Sequence, residues 1–351
     1  MSWTDLFKSK SSSLRPDPRV RWFGKLPTYP DYYRSPTDEA WVDEYNTWFL
    51  KGYELYKGRL TQGGYESNRL PVTACIIRLP KSEMTVFASV LDFGGDMRGR
   101  SFPICFYAGM PTTLWPGPTD ERLASAFVVL RSLLALGTEV ARFLNAPGSF
   151  EAMFANREVD WGNIEEGIGD TSWETAGRAI SMGDWFNGAK RQLKVQDRGE
   201  WLPLVREWGK NIAAHEGDTF EPTLRFPLSQ GVRLEVQAAG WFRWLESHMD
   251  LSRRDLCLII SGDLSSSPGT LAVIAREIMP DDFLLLTPLW HTLPYVDDLS
   301  VVGGGGTSSD GTPDQAPDQT PDQTPDLASG GDDGEDAGSW TEFVGGAGKT
   351  T

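Results

Sequence analysis

The spacing of hydrophobic residues over the first 145 positions predicts a sheet with helices packed on it. Aromatic residues recur at helical spacing from Trp41 to Phe49, and the Ser-Pro-Thr-Asp sequence that begins at residue 35 is typical of a helix start. Apolar runs bounded by turn residues predict strands. The predicted elements are, in order, a strand at 20–23, a helix from residue 36, strands at 71–79, 84–93 and 102–109, and a helix at 120–145. This order predicts a mainly antiparallel central sheet flanked by helices.

The second half of the chain carries a weaker pattern, which predicts a further α/β region. Residues 146–200 show no regular period, because tryptophans are scattered there among glycines and acids. The later predicted elements are a strand at 223–228, a helix at 232–249, a strand at 255–261, a helix at 268–278 and a strand at 283–290. The fold class expected for the chain is therefore mixed α/β.

The composition changes near residue 299, where a glycine run leads into Pro-Asp-Gln repeats with almost no apolar residues. Such a segment buries too little apolar surface to offset the entropy of ordering, so we expect it to be disordered. The predicted domains are a flexible lead at 1–18, an N-terminal α/β domain at 19–145, a second α/β region at 146–298 and a disordered acidic tail at 299–351.

The net charge of −16 is unevenly distributed, because residues 301–351 carry ten acids and one lysine. The rest of the chain has no basic stripe, which argues against general nucleic-acid binding. No apolar run reaches about 18 residues, and the N-terminus lacks an apolar signal core, so neither a membrane span nor a secretory signal is expected. The cysteines Cys75, Cys105 and Cys257 each lie in an apolar run, which favours buried free thiols and a cytoplasmic location.

Several short segments raise the question of catalysis or nucleotide binding. The C-terminal Gly-Gly-Ala-Gly-Lys-Thr-Thr fails as a phosphate loop, because Phe343 stands where the first glycine is needed. The three histidines show no metal-ligand spacing, and no metal or cofactor is expected. The loop at 92–100 is rich in acids and arginines, and the loop at 261–269 is rich in serine, so either could serve a hydrolase-like enzyme. Surface ion pairs and a helix cap explain the same loops without catalysis.

Three motifs follow one another within about eighty residues. The first is a Phe-Gly-Lys-Leu-Pro turn followed by an acid and an arginine, the second is a tryptophan-containing helix, and the third is an Asp-x-x-Gly-Arg-x-Phe-Pro segment. Their residues are Phe23, Gly24, Lys25, Leu26, Pro27, Asp31 and Arg34, then Trp48 and Gly52, then Asp96, Gly99, Arg100, Phe102 and Pro103. In this order the motifs resemble the N-terminal region of the TagF family, also called ImpM-like, which is associated with bacterial type VI secretion. Pro30 stands where that family usually has glycine.

The resemblance covers residues 19–145 best, and it implies an α/β sandwich without a known catalytic centre. It also implies a protein that restrains assembly or firing of the secretion apparatus after translation. The partner it implies is the forkhead-associated scaffold protein (Fha) of that system. Two alternatives remain open, namely an enzyme that uses the loops at 92–100 or 261–269, and a structural adaptor that recruits through its acidic tail.

The motifs make physical sense as one corner of the fold. Gly24 permits a backbone conformation that other residues disfavour, and Phe23, Trp48 and Phe102 are expected to bury together. The charged residues then form a rim. Its acids and basic residues either pair with one another or bind a partner, since aromatic residues beside arginine are common interface anchors. The residues predicted to bind a partner are Lys25, Asp31, Arg34, Asp96 and Arg100.

Overall fold

A computed structural model describes most of the predicted elements. The described residues are 16–60, 64, 69–115, 120–143, 154, 157–161, 209–210, 223–228, 234–251, 255–262 and 269–298. They all belong to the first of two compact units, residues 1–304, whereas the second unit is residues 305–351. Most of the predicted flexible lead, most of the segment 146–222 and the predicted disordered tail lie outside the described residues.

Nine strands in the described part of the chain hydrogen-bond into one sheet, in the order β2-β1-β5-β4-β3-β7-β8-β6-β9. The strands are β1 Arg21–Gly24, β2 Tyr33–Arg34, β3 Thr73–Leu79, β4 Met84–Leu91, β5 Ile104–Pro111, β6 Thr223–Leu228, β7 Cys257–Ser261, β8 Gly269–Ile274 and β9 Val296–Asp298. Every neighbouring pair is antiparallel except β6 and β9, which run parallel. The predicted class, a mixed and mainly antiparallel sheet with helices, is therefore confirmed.

The sheet runs through both halves of the chain. Strand β3 pairs with β7, so that Ala74 lies opposite Ile260. The boundary predicted between residues 145 and 146 therefore does not interrupt the sheet.

Helices cover both faces of the sheet, as the alternation along the strands requires. The α-helices with more than two described residues are α1 Ala40–Arg59, α2 Asp120–Phe143 and α3 Leu234–Glu246, and short 3-10 helices occupy Thr112–Leu114, Pro280–Leu286 and Pro288–Thr292. Ala74 and Ile76 point to the face packed against α2 and α3, whereas Cys75 and Ile77 point to the face packed against α1 and the 3-10 helix Pro280–Leu286. We call these the α2 face and the α1 face.

Helix α1 begins at Ala40, later than the predicted start at Ser35 and Pro36. The reason is that the chain continues its strand ladder through Ser35, whose backbone N–H donates to the Trp22 carbonyl at 2.9 Å. The serine hydroxyl also lies 3.4 Å from the same carbonyl oxygen, so it does not cap the helix.

Two elements predicted in the second half are wrong. The segment predicted as a helix at 268–278 contains strand β8, which pairs antiparallel with β7 and is rich in β-branched residues. The loop at 261–269 therefore lies between two neighbouring antiparallel strands, and its residues 263–268 lie outside the described part. The segment predicted as a strand at 283–290 forms two 3-10 helices, because a continuous apolar run does not distinguish a buried strand from buried helical turns.

Candidate protein-contact site

Strand β1 ends in a corner that only glycine permits. The φ angle of Gly24 is +151°, which side-chain-bearing residues rarely adopt. A Cβ atom at this position would overlap the carbonyl oxygen of Pro103 and the backbone of Ile104. The first and third motifs therefore meet backbone to backbone at this corner.

Aromatic rings fill the corner on the α1 face. The Phe23 ring stacks parallel on Tyr32 at a centroid distance of 5.4 Å and meets Phe102 edge-on at 5.7 Å. Phe102 is fully buried and also contacts the ring of Tyr53 on α1, at 4.5 Å. The rings of Phe23 and Phe102, predicted to bury together, are thus in direct contact.

Trp48 and Gly52 lie in the same buried cluster but contact a different element. The indole Nε1 of Trp48 donates to the Met279 carbonyl at 2.9 Å, and its ring lies 6.1 Å from that of Phe283. A Cβ atom on Gly52 would overlap Phe283. The second motif therefore forms the surface of α1 against which the 3-10 helix Pro280–Leu286 packs.

Asp96 is the centre of the charged part of the corner, and its side chain is fully buried. Its Oδ1 accepts the backbone N–H groups of Arg98 and Arg100, each at 2.9 Å. Its Oδ2 accepts Arg100 Nε at 2.9 Å and lies 2.8 Å from Arg100 Nη2 and 3.4 Å from Lys25 Nζ. Burial alone would raise the pKa of Asp96, but the hydrogen bonds from Arg100 and Arg98 and the charge of Lys25 hold it well below its ordinary value.

Arg100 joins this buried carboxylate to the preceding loop. Its Nη2 donates to the Pro30 carbonyl at 2.7 Å and lies 3.7 Å from a carboxylate oxygen of Asp31. The Lys25 ammonium sits 4.8 Å from the centroid of the Tyr32 ring. Two loops separated by about seventy residues in sequence are therefore locked onto one buried ion cluster.

The structure brings together four of the five charged residues predicted to bind a partner, namely Lys25, Asp31, Asp96 and Arg100. The fifth, Arg34, lies on the edge strand β2 opposite Phe23, with an exposed side chain. A charged residue on a two-residue edge strand is a common protection against edge-to-edge pairing. Of the remaining motif residues, Leu26 is buried toward the α2 face, Pro27 begins the turn and Gly99 forms the tight turn whose N–H donates to the Asp96 carbonyl at 2.8 Å.

Above this buried base, five side chains reach solvent, and we call them the corner patch: Asp31, Tyr32, Met97, Arg98 and Arg100. Met97 is 66% exposed and Tyr32 is 39% exposed. Methionine, tyrosine and arginine are the residue types enriched at protein interfaces. The corner patch therefore has the composition of a contact surface.

An ion pair in the second half holds the 3-10 helix that packs on α1, and it was not foreseen from the sequence. Arg276 and Asp282 form a buried bidentate pair with two N–O distances of 2.7 Å. The Tyr295 hydroxyl donates to Asp282 at 3.2 Å, and the Met279 backbone N–H donates to it at 2.7 Å. The pair therefore fixes the start of the 3-10 helix Pro280–Leu286, which packs against Trp48 and Gly52. The short spacing between arginine and aspartate was the only sequence signal, and it is not specific.

Within the described ranges, no group of three or more His, Cys, Asp and Glu side chains is arranged to hold a metal ion. None of the helices described is long and apolar enough to cross a lipid bilayer.

Comparison with known proteins gives little further information. No protein-family model matches the sequence, and no curated protein matches it. Among solved structures, the chain is similar to PA0076 from Pseudomonas aeruginosa PAO1, with 20% sequence identity and a TM-score of 0.25. The aligned part covers 33% of this chain and 55% of that protein, so the chain spans about half the length of PA0076. That likeness is too slight to bear on the activity of this chain.

Proposed function

We propose that this protein is a non-enzymatic, cytoplasmic regulator of bacterial type VI secretion, which represses the apparatus after translation by contacting another protein. The three motifs that resemble the TagF family support this role, and the partner we propose is the Fha scaffold protein. The corner patch is the proposed contact surface.

One observation carries the proposal, namely that the corner patch is exposed while its base is fixed. Asp96 accepts the backbone N–H of Arg98, that of Met97 donates to the Tyr29 carbonyl at 3.3 Å, and the Arg100 side chain is held by Asp96 and the Pro30 carbonyl. A loop that is already ordered loses little conformational entropy on binding, so more of the contact energy appears as affinity. The fully buried Asp96 carboxylate at the base of the loop is what orders it before binding.

The same geometry favours binding over catalysis at the loop 92–100. Asp96 is fully occupied by donors, and its low pKa keeps it from exchanging protons near neutral pH. Asp92 accepts the backbone N–H groups of Leu70 at 3.3 Å and Gly94 at 2.9 Å, which is a turn-forming role. In the second loop considered for catalysis, the Ser261 hydroxyl is 2.6 Å from the Thr270 hydroxyl across the hairpin. Within the described parts of the loops 92–100 and 261–269, no contact favours the hydrolase-like alternative, and the tail that an adaptor would use lies outside the described residues.

The test is a binding measurement between the purified full chain and the Fha protein of the same secretion system. We expect Met97→Ala and Arg98→Ala each to weaken binding by about five- to thirtyfold, as for interface anchors. Val128→Ala and Arg142→Ala on α2 are matched controls, because Val128 is 51% exposed and Arg142 is exposed in the last turn of α2, on the opposite side of the sheet. The controls should bind within about twofold of the parent chain.

The proposal is wrong if the full chain does not bind Fha, or if the patch variants and the α2 variants bind with the same affinity as the parent. A repression assay in the bacterium should follow the binding data, with secretion released by Met97→Ala and unchanged by Val128→Ala.

A further inference from the structure

A groove of about 320 Å³ opens beside the N-terminal half of α1. The sheet end and the segment before the 3-10 helix Pro280–Leu286 form its other sides. Its apolar lining includes the largely buried Trp48, Leu79 and Ile278, together with Pro80 and Pro280. The volume suits one or two side chains of an extended peptide and is near the lower limit for small-molecule sites.

Hydrogen bonds hold the walls of this groove in place. The Glu44 carboxylate accepts the backbone N–H of Lys81 at 3.1 Å, which ties the β3–β4 turn to α1. On the other side, the Trp48 indole donates to the Met279 carbonyl at 2.9 Å. The Met279 backbone N–H in turn donates to Asp282, the acid of the buried pair with Arg276. The groove is therefore preformed, which lowers the entropy lost by binding.

The charges on the rim favour a basic ligand. Three carboxylates, those of Asp43, Glu44 and Glu277, line the groove together with two ammonium groups, those of Lys51 and Lys81. Lysine heads move on long flexible stems, whereas Asp43 is short and Glu44 is held by its hydrogen bond, so the fixed charge is negative. Residues 1–300 carry a net charge of −7, which is the total of −16 less the −9 of residues 301–351, and this adds a longer-range field that attracts cations.

We propose that this groove docks a short extended segment of a partner protein that carries an apolar side chain next to lysine or arginine. The apolar side chain lies on Trp48, Leu79 and Ile278, and the basic side chain pairs with Asp43 or Glu277. This surface contains none of the corner-patch residues, so it stands or falls independently of the proposed regulatory function.

The experiment measures binding of fluorescein-labelled peptides to the full chain by anisotropy at physiological salt. The probes are Lys-Leu-Lys-Leu-Lys and Glu-Leu-Glu-Leu-Glu. We expect the lysine peptide to bind and the glutamate peptide to bind at least about tenfold more weakly. Thr47→Trp fills the groove without changing charge and should abolish binding of the lysine peptide, because Thr47 lines the groove and is exposed on α1.

A matched pair of variants separates the groove from the general acidic field. Asp43→Lys and Asp38→Lys change the net charge equally, and both exposed aspartates lie at the N-terminal end of α1. Only Asp43 lines the groove. We expect Asp43→Lys to weaken the lysine peptide about three- to tenfold more than Asp38→Lys does. Equal effects of the two variants, unaltered binding to Thr47→Trp, or no binding of the lysine peptide to the parent chain would each overturn the proposal.

Discussion

Replacing Asp96 by asparagine removes the single carboxylate on which Lys25 and Arg100 converge. The amide keeps one oxygen that can accept the backbone N–H groups of Arg98 and Arg100, but it presents N–H donors to the two cations. The Lys25 side chain is only 5% exposed, so its charge loses its counter-ion in a buried place. Breaking a buried ion pair in this way costs about 3–5 kcal/mol. The Arg100 side chain is 42% exposed and can hydrate, so we expect a loss near the lower end, about 3 kcal/mol at pH 7.

The measurement is the free energy of unfolding in urea, followed by far-ultraviolet circular dichroism. Asp31→Asn is the control, because its carboxylate is 3.7 Å from Arg100 and its side chain is 70% exposed. An exposed pair of this kind contributes less than about 1 kcal/mol. A loss below about 1 kcal/mol for Asp96→Asn, or an equal loss for the two variants, would refute the assignment of Asp96 as the centre of the corner.

Acidification provides a second test of the same reasoning. Because the pKa of Asp96 is lower in the folded chain than its ordinary value of about 3.9, its contribution to stability is complete above that value. The contribution is lost as the pH falls further, toward the pKa in the folded chain. The stability difference between the parent and Asp96→Asn should therefore be constant from about pH 6 to 8 and should shrink below about pH 4. A difference that stays constant down to about pH 3 contradicts this mechanism.

Three further predictions concern the buried side of the corner and the α1 face. Gly52→Ala should destabilise the chain by about 1–3 kcal/mol in urea unfolding, because the new Cβ overlaps Phe283, whereas Gly58→Ala at an open position of α1 should not destabilise it. Phe102→Ala should cost about 3–5 kcal/mol in the same assay, since the ring is fully buried among aromatic neighbours. The three free cysteines should be unreactive toward a thiol reagent in the native chain and should all react in denaturant. The reason is that they are buried, and burial raises the pKa of Cys75 and Cys257 to about 12. Rapid labelling of the native chain at neutral pH would contradict this.

The elements that the sequence predicts correctly share one property. The local order of apolar and polar residues is enough to define each of them. Strands β3, β4 and β5 are apolar runs separated by turns, and long helix α2 carries its apolar periodicity within itself. The contact of Phe23 with Phe102 was also predicted, because the motifs that contain them were expected to form one corner of the fold.

The errors arise where distant partners decide the structure. Ser35 has the sequence of a helix cap, yet the Trp22 carbonyl captures its backbone N–H. The Phe-Leu-Leu-Leu run from Phe283 forms a 3-10 helix that packs on α1, where the Phe283 ring contacts Trp48 and Phe49, more than 200 residues earlier in the chain.

The hydrogen bond between Trp48 and Met279 has a consequence for how the protein is made. Its two residues are 231 positions apart. A ribosome that adds about 5–20 residues per second needs about 10–50 s to synthesise the intervening chain. Throughout that interval the aromatic face of α1 lacks the 3-10 helix that covers it, and β3 lacks its neighbour β7. The nascent chain therefore exposes an apolar surface until these later segments have been synthesised, and we expect a chaperone to bind it during that interval.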